Sequence, residues 1–218
     1  MGDILKSKFE YRGLSIEHLS HAAFKITDGK IVVYIDPFEV KEKRGDADII
    51  VCTHDHYDHC SLEDIEKLAK ADTVIVAAVN CRSKLAGTPF EKRFIAPGEK
   101  VEVLGVLIEA VPAYNIGKRF HPKNYQGIGV ILTIGEIRIY HAGDTDFIPE
   151  MEKLENIDIA LLPVSGTYVM DWKEAVKAAE AIKPKVAIPM HYGSIVGSLK
   201  DAEHFKEQVS KICEVVII

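Results

Sequence analysis

The stretch Thr53-His54-Asp55-His56-Tyr57-Asp58-His59 places five imidazoles or carboxylates among seven residues. The apolar run Asp48-Ile49-Ile50-Val51-Cys52 before it reads as a short buried strand, and Ser61-Leu62-Glu63-Asp64 after it has the Ser-x-x-Asp spacing of a helix start. The cluster therefore belongs on a strand-to-helix loop. His54 and His56, two residues apart at the end of an extended segment, point to one side and suit a single cation. Asp58 and His59 continue past that point and, in a turning loop, reach towards a second position. One His on such a loop is most often an ordinary hydrogen-bonded residue. Three His and an Asp in this order, with 9 His in 218 residues, arise from composition in roughly one such chain in a thousand. Metal ligation is the stronger reading.

Composition limits the rest. With 47% hydrophobic and 28% charged residues, 218 residues are enough for one well-buried core, and a single domain over 1–218 is expected. A net charge of -6 argues against nonspecific nucleic-acid binding, which needs a basic face. The four Cys show no Cys-x-x-Cys spacing, Met1 to Lys6 has no apolar signal core, and Lys6 breaks a myristoylation pattern. A reduced, cytoplasmic protein is expected. Membrane insertion is not, because no apolar run is long enough to span a bilayer.

The pattern His54-x-His56-x-Asp58-His59 resembles the signature of the metallo-β-lactamase superfamily, whose members hold one or two metals between two β-sheets. Other segments carry the same resemblance. Asp36-Pro37 ends a strand where the family often has Asp-Pro, and Asp36 reads as a support behind the ligands or as a turn cap. At His21, after Ser20, relatives commonly have a His facing the cleft, whereas His18 reads as an ordinary hydrogen-bonded His. His141-Ala142-Gly143-Asp144-Thr145 resembles the motif whose carboxylate bridges two metals: Gly143 permits a close backbone approach, and Asp144 offers one oxygen to each metal. His141 reads as a buried support and Asp146 as a cap. His191, at a strand end, resembles the last ligand. The sequence departs from the family at Asn115, where relatives place a His after Pro-Ala-x. His121, six residues on, is expected to fold back and replace it. Lys118, Arg119 and Lys123 around it either attract an anionic substrate or form a solvated face. Cys52 and Cys60 read as small apolar fillers.

Period-two and buried runs place strands at Leu14–Leu19, Ala22–Ile26, Lys30–Ile35, Asp48–Cys52, Thr73–Ala78, Val101–Leu104, Val106–Val111, Gly129–Ile134, Ile137–Tyr140, Ile157–Val164, Lys185–Met190 and Glu214–Ile218. Helices are predicted from Leu62 to Ala69, over Asn80 to Leu85, from Asp171 to Ile182 and from Asp201 to Lys211. Two halves, each β-rich and then β-α-β, fit an α+β four-layer αββα sandwich.

The resemblance implies two divalent ions, zinc first, with manganese, iron or nickel also suited to His and carboxylate. His54, His56, His121 and Asp144 would hold one, and Asp58, His59, His191 and the shared Asp144 the other. It implies a hydrolase in which a metal-bridging hydroxide attacks a carbonyl or phosphoryl centre, with Asp58 as the catalytic carboxylate and Tyr192 or His21 protonating the leaving group. The wording around Gly-Asp-Thr and Pro-Met-His-Tyr is most similar to metal-dependent hydrolases related to ascorbate-6-phosphate lactonase and N-acylphosphatidylethanolamine phospholipase D. The expected substrate is accordingly a small molecule, anionic if Lys118, Arg119 and Lys123 face the cleft, with a lactone, ester or phosphodiester bond, and a homo-oligomer is compatible with the family. Two alternatives stand beside it. A redox di-iron module usually has Glu in place of His56 and a flavodoxin domain following, and a nonenzymatic metal-binding scaffold has Asn115 as its one hint.

Overall fold

The computed structural model describes residues 8–218; the reading made on Met1 to Lys6 lies outside the described residues. Alternation of buried and part-exposed residues, as in Leu14 to Glu17, produces strands with one wet face, while runs such as Ile159–Pro163 and Val186–Met190 are buried on both faces. In the first half β1 (Lys8–Tyr11), β2 (Leu14–Ser20), β3 (Ala23–Thr27) and β4 (Val32–Ile35) form an antiparallel meander. There follow β5 (Ala47–Cys52), α1 (Leu62–Leu68), β6 (Ala69–Ala78), α2 (Arg82–Leu85) and β7 (Glu91–Ile95), with β4 to β7 parallel. The second half repeats the plan. β8 (Lys100–Val103), β9 (Val106–Pro112), β10 (Ile128–Ile134) and β11 (Ile137–His141) are antiparallel. β12 (Ile159–Pro163), α3 (Trp172–Ile182), β13 (Val186–Met190), α4 (Leu199–Val209) and β14 (Glu214–Val215) continue in parallel from β11.

The two seven-stranded sheets, ordered β1 to β7 and β14 to β8, share one apolar core, and α3 and α4 pack on each other and on β12 and β13. This is the α+β sandwich expected. At the end where β5 and β11 finish, backbone bonds sew the sheets together: Ile128 N donates to Thr53 O at 3.0 Å and His191 N to His21 O at 2.7 Å.

Local sequence accounts for the helix starts. Ser61 Oγ accepts from Asp64 N at 3.2 Å, and Asp171 and Glu174 exchange the reciprocal bonds of a capping box. α3 buries Ala175, Ala178, Ala179 and Ile182, the face its spacing predicts. Several boundaries differ from expectation. β6 begins at Ala69 because Thr73 accepts from Lys70 N and donates to Ala47 O, drawing the preceding residues into the sheet. α4 starts at Leu199 because Asp201 Oδ2 accepts from Ser198 N at 2.7 Å. Asn80 to Leu85 divides into a 3-10 turn and α2, and β14 pairs over Glu214–Val215 only. β1 and β7 were not expected. Both are sheet-edge strands rich in charge, which suits an edge but masks the strand signal. Among the described residues no helix is long and apolar enough to cross a membrane.

Candidate metal centre

The His-rich loop leaves β5 at Thr53 and turns at His56, whose carbonyl accepts from His59 N and Cys60 N. Because β4 and β5 are parallel neighbours, the residue after β4, Asp36, lies beneath the loop. Its carboxylate accepts from Thr53 N at 2.7 Å, Thr53 Oγ1 at 2.6 Å and His59 Nδ1 at 2.7 Å. A carboxylate on Nδ1 fixes the ring and turns Nε2 of His59 towards the cluster. Asp36 therefore has the supporting geometry that its position after β4 suggested.

One group of nitrogens is formed by His54, His56 and His121. His54 Nε2 lies 3.1 Å and His121 Nε2 3.0 Å from His56 Nδ1. The loop after β9 does fold back: His121 adopts φ +55°, and Asn115 N donates to His121 O at 2.7 Å. Asn115 Nδ2 donates to Phe120 O and Tyr168 O, so the amide that stands where the resemblance would place a His ties down the loop that presents His121.

A second group comprises His21, Asp58, His59 and His191. Asp58 Oδ2 is 3.5 Å from both His21 Nε2 and His59 Nε2, and the His21 and His191 ring centroids are 3.8 Å apart. His21, expected at the cleft and, with Tyr192, one of two candidates to protonate the leaving group, sits fully buried inside this group, at φ +49°. No local sequence rule marks such a position. His191, at φ +62°, has Nδ1 3.0 Å from Ser165 Oγ. Asp144 lies between the groups. Oδ1 is 3.3 Å from His59 Nε2, while Oδ2 is 3.3 Å from His191 Nε2, 3.6 Å from His121 Nε2 and 4.0 Å from His54 Nε2.

Gly143 places Asp144 there. It has φ +63°, and a Cβ on it would stand 2.6 Å from Ile128 O, so only glycine fits. His141 braces the same turn: Nδ1 accepts from Gly143 N and Nε2 donates to Ala22 O, next to His21.

Buried polar atoms ordinarily have partners. Here His21 Nδ1 and Nε2, His59 Nε2 and Asp144 Oδ1 are buried without one. Bound cations would satisfy His21 Nε2, His59 Nε2 and Asp144 Oδ1, and imidazole with carboxylate is the donor set that divalent transition metals take. Electrostatics agree. Burial holds the His54 pKa well below its ordinary value, leaving the imidazole neutral, the form that binds a metal. Burial would raise Asp144, but His191 and His59 outweigh it and hold the carboxyl well below the carboxylate range. Burial opposes charge on His59, yet Asp144 and Asp36 prevail and raise its pKa well above the usual imidazole value. A metal at His59 would displace that proton.

The surrounding residues are mostly engaged. Lys118 Nζ bonds Asp146 Oδ1 at 2.5 Å and Val169 O at 2.6 Å, Asp146 Oδ2 caps Ile116 N, and Lys123 pairs with Glu150 at 2.9 Å. His18 contacts His21 O and Ile218 O, the hydrogen-bonded state expected of it, and the buried Tyr192 lies against its ring. Tyr125, which sequence reasoning passed over, lies over the rings of His54, His56 and His121 and donates its phenol to Asp55. Cys52 and Cys60 are buried, as expected of fillers.

The model of the beta-lactamase superfamily domain matches residues 15–191. A Thermoplasma acidophilum protein described as a UPF0173 metal-dependent hydrolase is 36% identical over 215 residues, covering 91% of this chain and 92% of its own. The crystal structure of a Parabacteroides distasonis protein superposes with TM-score 0.82 at 32% identity, over 96% of each chain. A metallo hydrolase of Ignicoccus hospitalis, 24% identical, shares the fold with TM-score 0.78 over 94% of each chain.

Proposed function

The chain belongs to the metallo-β-lactamase superfamily, among its metal-dependent hydrolases, and from that premise we propose a binuclear centre that hydrolyses a lactone, ester or phosphodiester bond of a small molecule. The observation that carries this reading is Asp144, a buried carboxylate with oxygens facing both ligand groups and one of them unpartnered. His54, His56, His121 and Asp144 would hold one ion. Asp58, His59, His191 and Asp144 would hold the other, with His21 as an additional ligand in place of a proton-donor role. Zinc suits this donor set first, and manganese, iron and nickel also fit it. When bound, such ions supply an acidified water as nucleophile and positive charge against the developing oxyanion.

The remaining work falls to the chain. Burial raises the Asp58 pKa, but the nearby imidazole of His21 and the charge of His59 bring it below the ordinary value, so the carboxylate is ionised and its side chain, 13% exposed, can orient a water and receive its proton. Asp36, Ser165 and His141 hold His59, His191 and the Gly143 turn, which keeps the ligands in place before substrate arrives. Four free cysteines, three of them buried, accord with a reducing cytoplasmic setting.

The test is elemental analysis of protein purified without added metal, paired with hydrolysis of bis-p-nitrophenyl phosphate and a lactone panel. About two metals per chain, with turnover lost in His54→Ala, is expected. Fewer than one, not restored by zinc, manganese or nickel, would replace this reading with a nonenzymatic scaffold, and turnover supported by iron redox cycling alone would favour the di-iron alternative.

A further inference from the structure

We propose that this site prefers an uncharged carboxylic ester or lactone bearing an aryl or alkyl group, which lies on an aromatic rim, over a phosphodiester or a phosphorylated sugar. The proposal rests on the hydrolase reading and narrows its substrate. His54, His59, His21, Asp144 and His191 are buried, whereas His56 and Asp58 keep partial exposure, so substrate reaches the reacting centre across those two residues. Tyr57, between them in sequence, is 62% exposed, and Phe38 meets it edge-to-face at 5.8 Å while lying 6.1 Å from His21. Next to His56, Phe120, 42% exposed, lies 6.4 Å from its ring and meets Tyr168 edge-to-face at 5.1 Å. A single exposed aromatic needs no explanation; one aromatic pair near His21 and another near His56, bordering one buried polar centre, form an apolar mouth that an apolar ligand group would cover.

Charge points the same way. Phosphate recognition uses free Arg and Lys donors in forked or clustered arrangements. Lys118 and Lys123 are engaged by Asp146 and Glu150, and Arg119 lies over the Phe120 ring, with its guanidinium 5.8 Å from the centroid. Beside Phe38 and Tyr57 opens a cavity of about 540 Å³, large enough for an acyl or aryl group. Its charges are three carboxylates, Glu39, Glu63 and Asp64, against Lys67 and Lys84. Lys67 is held by Glu63 at 2.8 Å and Asp64 at 3.0 Å, and Lys84 donates to Asp55 O at 2.8 Å. An anionic group entering there meets net negative charge. In the reaction the water oxygen bonds to the carbonyl carbon, the bond from that carbon to the alkoxy oxygen breaks, and the water proton passes through Asp58 to the departing alkoxide, giving acid and alcohol with no other reactant.

Two measurements on zinc-loaded protein test this. Calorimetric binding of acetate, phenylacetate and inorganic phosphate needs no turnover, and phenylacetate should bind at least roughly tenfold more tightly than either of the others. Phe120→Ala and Tyr57→Ala, checked for full metal content, should each cut that ratio several-fold, and kcat/KM for p-nitrophenyl esters should rise with acyl length in the parent protein. Phosphate binding more tightly than phenylacetate, or a ratio intact in both variants, would overturn the proposal. A fully loaded protein that keeps the binding ratio but turns over no ester, lactone or diester would sink the hydrolase reading and leave the apolar mouth standing.

Discussion

The two candidate ligand groups are built by different devices. His54, His56 and His121 come from two loops, and the third imidazole depends on a backbone excursion held by one amide, Asn115. His21 and His191 follow the ends of β2 and β13, one in each sheet, while Asp58 and His59 come from the same His-rich loop as His54 and His56; His21 and His191 occupy left-handed backbone that costs about 1–2 kcal/mol per residue. The backbone bond from His191 N to His21 O joins those two residues directly across the sheets. The His21–His191 half of the second group is thus tied across the two sheets, whereas the third imidazole of the first hangs on one loop. Asp144 lies between the two, so the comparison turns on what each loses separately.

The largest effect should come from Asp144→Ala, which removes the shared carboxylate. Metal content should fall to near zero and kcat/KM by roughly a thousandfold or more. One ion retained at full occupancy would assign Asp144 to a single group. Next, His21→Ala and His121→Ala should each release about one metal equivalent, from different groups, and a double variant should release both. If elemental analysis finds His121→Ala fully loaded, the loop imidazole is no ligand.

Smaller changes sharpen the contrast. Asn115→Ala should weaken the first group roughly 10- to 100-fold in metal affinity, and Asp36→Asn should do the same to the second, each leaving the other group loaded in competition titrations with a chelator. Lowering pH should empty the second group first. His59 has a raised pKa, because Asp144 and Asp36 outweigh its burial, so protons compete there at higher pH than at His54, which burial keeps neutral. Metal release followed against pH should show two steps, and a single step would mean that the groups are electrostatically equivalent.

The smallest effect lies away from both groups. Asp158 bonds Lys185 at 2.7 Å and Arg138 N at 2.9 Å; burial raises its pKa, but these partners bring it below the ordinary 3.8. A depressed folded-state pKa means that its contribution is whole above pH 3.8 and lost as pH falls through the lower folded value. Asp158→Asn should cost about 1 kcal/mol at neutral pH, flatten the acid limb of a denaturation series and leave metal content unaltered.

Legibility followed the range of the interaction. The strand and helix sequence of both halves, the caps at Ser61 and Asp171, the loop imidazoles and Gly143-Asp144 could be read directly, because periodicity, capping and close spacing act within a few residues. β1 and β7 escaped because edge strands tolerate charge that hides alternation. The place of His21 beside Asp58 and His191, the brace that Asn115 gives His121, and the engagement of Lys118 by Asp146 and Val169 were decided only in three dimensions. Each joins residues distant in sequence through left-handed backbone or ion pairs, and these are set by how the two sheets close on each other. The chain's sequence determined most of the strands, the candidate ligand types and the carboxylate at Asp144; the closing of one sheet on the other decided which imidazoles meet, because only that packing brings their ring nitrogens within a metal's reach.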